Sequence, residues 1–183
     1  MKVKVKKDVF ISTISNASDR YLSYNGGVYT LILKAEKGNR IRVGRRKIVD
    51  VVPGYYIYVG SALKNLAYRL NRYIALTRED RRKHWHIDYI LASQSVFLCS
   101  IVYAFTQHKV EPTVALALIG KGFKVVREGI GSSEYHWKGY SHFLKAPSQA
   151  SFNKILSSLK EVFLSIGLKP YYVIFPDTMV SCL

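Results

Sequence analysis

The alternation of apolar and polar positions divides the chain into strands and amphipathic helices. Val28 to Leu33 is a run of β-branched and apolar side chains, which predicts a buried strand over Gly27 to Lys34. Lys37-Gly38-Asn39 supplies a turn and Arg40-Ile41-Arg42-Val43 alternates as a half-exposed return strand, so the first expectation is a hairpin. Beyond the basic turn Gly44-Arg45-Arg46-Lys47 and the turn at Pro53-Gly54, Tyr55 to Val59 is aromatic and β-branched enough for a central strand beside the first. Leu66, Leu70, Tyr73 and Ile74 fall at helical spacing, which predicts a basic amphipathic helix from Leu63 to Ala75. A second helix is expected over His84 to Ala92 and a strand over Val96 to Phe105. Glu111-Pro112 opens a third helix reaching Leu118, because proline is tolerated in a first turn and an acid there suits the helix dipole. Ser141 to Leu144 is a short strand candidate. Phe152, Ile155, Leu156, Leu159, Val162 and Phe163 give a helix over Ser148 to Ile166, which Gly167 ends before a last strand at Tyr171 to Phe175.

This order predicts an α/β (α+β) fold with a small mixed, largely antiparallel central sheet flanked by helices. Residues 1–25 read as an N-terminal extension, 26–145 as the main domain, and 146–183 as a C-terminal helix and strand packed on that same domain. Lys and Arg number 28 against 12 Asp and Glu, a formal net charge of +16, and a field of that sign attracts polyanions. Nucleic acid is therefore the leading partner. Apolar stretches such as Val96 to Phe105 are too short to span a bilayer, so no membrane partner is expected. The start alternates Lys with Val and lacks the apolar core of a secretory signal, which predicts a cytoplasmic protein. Cys99 and Cys182 are the only cysteines, and neither a disulfide framework nor a zinc site is indicated; a packed thiol and a tail thiol are expected.

Six marks then stand in a telling order. Gly27-Val28-Tyr29 and Tyr58-Val59-Gly60-Ser61 come first, followed by Arg69 on its helix, His84-Trp85-His86-Ile87-Asp88-Tyr89, and Gly131-Ser132-Ser133-Glu134 before Ser141-His142. From Gly26 to Leu144 the chain resembles the GIY-YIG nuclease superfamily, in particular an archaeal and bacterial branch that also occurs fused to DNA-repair glycosylases. The resemblance implies a GIY-YIG-like domain and an endonuclease that uses Mg²⁺, or Mn²⁺ in its place. Structured DNA is the implied substrate, in preference to RNA, within repair or recombination and beside a DNA-repair protein partner. It marks Gly27, Gly60, Ser61, His86, Asp88, Ser132, Ser133 and His142 as motif positions. The chain departs from that branch in carrying Tyr135 and Trp137 where cysteines are usual, and in placing Pro112 and Thr113 beside the acid Glu111.

Phosphodiester hydrolysis requires a water, a proton acceptor, charge stabilisation on the phosphate and help for the leaving oxygen. By the resemblance these tasks fall to Tyr29, Tyr58, Arg69 and Glu111, the last as metal ligand, while His84, with Asp88 four residues on along one helical face, is spaced as an oriented proton carrier. A phenol titrates near pH 10, so Tyr29 serves as base only with a nearby positive charge or by relaying a proton through water. Arg69 suits phosphate because guanidinium offers parallel donors to two oxygens. Ordinary sheet packing is the plain alternative for both phenols, a structural hydrogen bond for His84 with Asp88, and a core histidine for His142. Arg45, Arg46, Lys64, Arg72, Arg81, Arg82 and Lys83 are the expected phosphate-positioning surface, giving salt-dependent and sequence-blind affinity. Two other readings stand beside the nuclease: a nucleic-acid-binding module with weak or absent catalysis, and an interaction domain docking through its C-terminal segment.

Overall fold

The computed structural model of the chain describes residues 26–76, 82–135 and 137–175. The expected N-terminal extension, Arg81 and Cys182 lie outside them. In chain order the elements are β1 (Gly27–Ala35), β2 (Asn39–Val43), β3 (Lys47–Val51), β4 (Gly54–Ala62), α1 (Leu66–Leu76), α2 (His86–Leu91), β5 (Val96–Phe105), α3 (Glu111–Gly120), β6 (Lys124–Val125), β7 (Phe143–Lys145), α4 (Phe152–Ser165) and β8 (Tyr171–Ile174). Six strands form one sheet in the order β6-β7-β4-β1-β5-β8, with each neighbouring pair antiparallel. The fold is thus the expected α+β arrangement.

Strand periodicity sends alternate side chains to opposite faces, and each face buries a separate core. Tyr29, Leu31 and Leu33 of β1 join Tyr58 of β4 beneath α1 and α2, where Leu66, Leu70, Tyr73, Ile87 and Ile90 complete the layer. Val28 and Ile32 face the other way with Ile57 and Val59, packing against Val114 and Leu118 of α3 and Ile155, Leu159 and Phe163 of α4. Helix α4 starts at a conventional cap, the Ser151 hydroxyl accepting from the Lys154 N–H. Its successor β8 adds an edge strand to β5.

Two expectations need correcting. Strand β2 does not return along β1; it pairs with β3 as a separate two-stranded sheet, and Ile41, Val43, Val49 and Val51 bury one of its faces in the α1 and α2 core. Both edges of β1 are already taken by β4 and β5, so no ladder is left for β2 to join. Cys99, fully buried on β5, is disulfide-bonded and not the packed free thiol expected.

The start of β1 shows how tightly this centre closes. A side chain at Gly27 would stand 2.3 Å from the Ala104 carbonyl oxygen and 2.7 Å from a Leu66 methyl, whereas nothing lies within 4 Å of that position at Gly120. Gly27→Ala is expected to lower the unfolding free energy by roughly 1–3 kcal/mol, as overpacking does. Gly120→Ala, in an open helical position, is expected to be neutral or to gain up to about 1 kcal/mol. Urea denaturation of the two variants checks both signs.

Candidate active site

Antiparallel pairing of β1 with β4 sets the first part of the site. Tyr29 lies opposite Gly60 and Leu31 opposite Tyr58, so the two phenols are diagonal neighbours on one face. Gly60 leaves room for its partner: a Cβ there would stand 2.5 Å from the Tyr29 hydroxyl. Gly131 does the same for Tyr58 from the loop above, where a Cβ would meet the Tyr58 ring at 2.7 Å. Gly131 also holds φ at +74°, a left-handed conformation that favours glycine.

Helix α1 supplies the second part. Arg69 and Tyr73 are one turn apart on the same helical face. The Tyr29 and Tyr73 hydroxyls are hydrogen-bonded at 2.6 Å, and Tyr73 also holds the Arg69 guanidinium. Arg69 lies in turn over the Trp85 ring, 4.6 Å from its centroid. Burial pushes the Tyr29 phenol well above its ordinary range, with Tyr73 and Tyr58 adding to the rise and Arg69 opposing it. Burial raises Tyr58 likewise, again against the pull of Arg69. Both phenols are therefore neutral at physiological pH; the charge of Arg69 acts to lower the Tyr29 pKa, as expected of a nearby cation, but desolvation outweighs it. Burial works against the charge on Arg69 as well, yet the surrounding phenolic oxygens outweigh it and the guanidinium sits above its usual value.

Glu111 closes the third side from the first turn of α3. It is only 3% exposed, Oε1 accepts a 3.4 Å hydrogen bond from Tyr135, and the buried Oε2 has no partner among the described residues. A buried carboxylate with a spare oxygen, on a residue that lines a cleft, fits a divalent cation whose remaining shell is water and phosphate oxygen.

Asp88 has a different task from the one its spacing suggested. Fully buried, its carboxylate accepts from the backbone N–H groups of His84 at 2.7 Å and Trp85 at 2.9 Å, and from Arg72 at 2.5 Å. It fixes the entry to α2 through the backbone of His84 and Trp85 and not through the His84 ring; that exposed ring meets Trp85 edge-on at 4.7 Å. Arg72 also donates to the Arg82 carbonyl at 2.9 Å, so this guanidinium is committed to the scaffold and is not part of the open phosphate-positioning surface. His86 accepts the Gly131 N–H at 3.0 Å and so ties α2 to the loop over Tyr58. His142 is buried against Tyr140 at 2.9 Å, and desolvation lowers its pKa to about 4.

Tyr29, Tyr58, Arg69, His84 and Glu111 all line one cleft of about 390 Å³, together with Gly60, Ser61, His86, Ser133 and His142. Ser132 is fully buried, its hydroxyl without a partner among the described residues, and does not line the cleft; Gly27 lies in the strand packing. Arg45, Arg46, Lys64, Arg82 and Lys83 are exposed outside the cleft. A larger hollow of about 590 Å³, lined by Lys34, Tyr55 and Lys145, contains none of the groups singled out above.

Over residues 28–164 the chain matches a domain of unknown function, DUF123. The chain belongs to the DUF123 family. No curated protein and no solved structure matches it. The DUF123 match runs from β1 through most of α4 and so includes every element that builds the cleft. Among the described residues of this DUF123 chain, no helix is long and apolar enough to cross a membrane.

Tyr73 and Lys109 were not singled out from the sequence as site residues, and Glu134 stood there only as the end of the Gly131-Ser132-Ser133-Glu134 motif. Tyr73 scored only as an apolar helical position, although its place one turn after Arg69 is a usable signal. Lys109 and Glu134 also line the cleft and pair with each other at 3.3 Å, a contact between two loops that no periodicity announces.

Asp88→Ala in this DUF123 domain removes the partner of a largely buried arginine and is expected to cost roughly 3–5 kcal/mol. Arg40→Ala breaks only the exposed pair with Asp50 and is expected to cost less than about 1 kcal/mol, which denaturant titration checks. His142 gives a pH signature. Its folded pKa lies below the unfolded value, so the unfolded chain binds the extra proton and stability falls as pH drops from about 6.5 to about 4. His142→Asn is expected to flatten that acid limb, read as melting temperature against pH.

Proposed function

We propose that this DUF123 domain is a GIY-YIG-type, Mg²⁺-dependent endonuclease, acting on structured DNA inside the cell in repair or recombination. The observation that carries this reading is the convergence of two phenols, a guanidinium, a histidine and a buried carboxylate, one oxygen of which has no hydrogen-bond partner among the described residues, on one cleft in a chain of net charge +16. Arg69 grips two non-bridging oxygens of the scissile phosphate, held in its orientation by Tyr73 and Trp85. Arg69 is donor only, so a proton passed from Tyr29 to Tyr73 has nowhere further to go. The Tyr29 oxygen therefore accepts a proton from the attacking water while its own hydroxyl proton passes to a phosphate oxygen. Tyr58 orients that water. The water oxygen bonds to phosphorus, the bond to the departing sugar oxygen breaks, and His84 at the open side supplies that oxygen with a proton.

Glu111 is the residue that would hold Mg²⁺ or Mn²⁺. Bound there, the ion supplies charge neutralisation for the phosphate. The exposed Arg45, Arg46, Lys64, Arg82 and Lys83 bring DNA to the cleft by salt-dependent contacts.

A second reading, a nucleic-acid-binding module without turnover, draws on Tyr29, which is 2% exposed and protonated. Branched, single-stranded and duplex DNA and RNA incubated with Mg²⁺, Mn²⁺ or chelator separate the two. The nuclease reading expects metal-dependent cleavage of branched DNA, reduced about 10²-fold or more by Tyr29→Phe, Arg69→Ala or Glu111→Gln. Retention of every substrate uncut, with affinity falling steeply in salt, decides for the binding module.

A further inference from the structure

Taking the cleft to be a nucleic-acid site, as proposed above, we infer that it selects an unpaired nucleotide of DNA, whose base stacks on Trp85 while its phosphate lies at Arg69. Trp85 stands 42% exposed on the cleft wall, an indole left open to solvent beside the guanidinium best suited to phosphate. Arg69 covers part of the ring from 4.6 Å, and His84 meets it edge-on at 89°, so the ring is held from two sides. Its backbone is fixed too. The buried Asp88 carboxylate binds the N–H groups of both His84 and Trp85 and is itself clamped by Arg72. An aromatic ring on a locked backbone offers stacking area at little entropic cost.

Structure selectivity follows from what such a ring can bind. Within a duplex, base faces are covered by neighbouring base pairs, and only base edges and phosphates are on offer. An indole has one N–H donor and no acceptor, so it is poorly equipped to read an edge. A base that is single-stranded or extruded presents an open π-face, for which an aromatic platform beside a cation is the general mode of capture. Arg69 touches the Trp85 ring directly, so phosphate and base of one nucleotide reach both groups together. The basic surface adds affinity without discriminating between strands; Trp85 supplies the preference.

The test uses binding alone, in chelator, so that nothing is cut. The chain has two tryptophans, and Trp137→Phe leaves Trp85 as the sole emitter. This variant is titrated with oligothymidylate and with a blunt, fully paired hairpin of the same phosphate number. Single strand is expected to quench Trp85 emission by about half or more and the hairpin to leave it nearly unchanged, as stacking requires. In the native background, Trp85→Ala is expected to weaken oligothymidylate binding about ten-fold and hairpin binding less than about two-fold, while Trp85→Phe retains most of the preference. Should Trp137→Phe fold poorly, native protein titrated with a 2-aminopurine-labelled single strand reads the same stacking from the base. Equal quenching by both DNAs, or equal loss of affinity for both in Trp85→Ala, overturns the inference and leaves Trp85 as a mere support for Arg69. Failure to cut any DNA, with the selective quench intact, removes the nuclease activity and keeps the stacking site. Metal-dependent cleavage without a quench removes the stacking site alone.

Discussion

The hydrogen bond joining the Tyr29 and Tyr73 hydroxyls ties the central strand to the basic helix, and the cleft takes its shape from it. A buried hydroxyl without a partner costs about 1–3 kcal/mol, so strand and helix are held to the register that lets the two phenols meet. That register has further demands. Gly60 must lack a side chain for Tyr29 to lie across it, and Arg69, one turn before Tyr73, is carried over the cleft by the same helix. Such a network rigidifies when complete and fails as a unit when one member is lost.

Charge is distributed in two tiers around this centre. Arg69 and Arg72 stand on one helix but are used differently. Arg72 is neutralised by Asp88 and fixes the segment that presents His84 and Trp85, while Arg69 is surrounded by phenols and keeps its charge available. Outside the cleft, among the described residues, exposed ion pairs such as Lys121 with Glu161 engage only a few of the cationic side chains. The remainder produces a field that concentrates polyanions and weakens with salt.

Periodicity made most elements legible. β5 was read over its full observed span, and α1, α3, α4 and β8 were placed correctly with shifts confined to their ends, because the first four have a long apolar stripe or run and β8 is a β-branched and aromatic segment bounded by Gly167 and Pro176. The alternation in Arg40 to Val43 was also real, but a period of two fixes which side chains are buried without naming the neighbouring strand. The partner proved to be Lys47–Val51, a segment whose own alternation had passed unread, and the two-residue β6 was too short to carry a pattern. In the cleft, local spacing identified side chains but not their partners. His84 and Asp88 are four apart, yet the carboxylate binds backbone and Arg72, because a helix brought alongside offered stronger donors. Tyr73 was invisible for a related reason: tyrosine at an apolar position reads as core until its hydroxyl is found at a second hydroxyl.

On the proposed function, Arg69 is the phosphate-holding group of a cleft that Glu111 completes. The most direct measurement of this role is the Arg69 side-chain Nε–H resonance in nitrogen-resolved NMR, followed during titration with thymidine 3′,5′-diphosphate, with and without Mg²⁺. The Arg69 signal should shift on titration, with a Mg²⁺-dependent increment that disappears in Glu111→Gln. Perturbation confined to the surface arginines 45, 46 and 82, with Arg69 unmoved, would contradict the account.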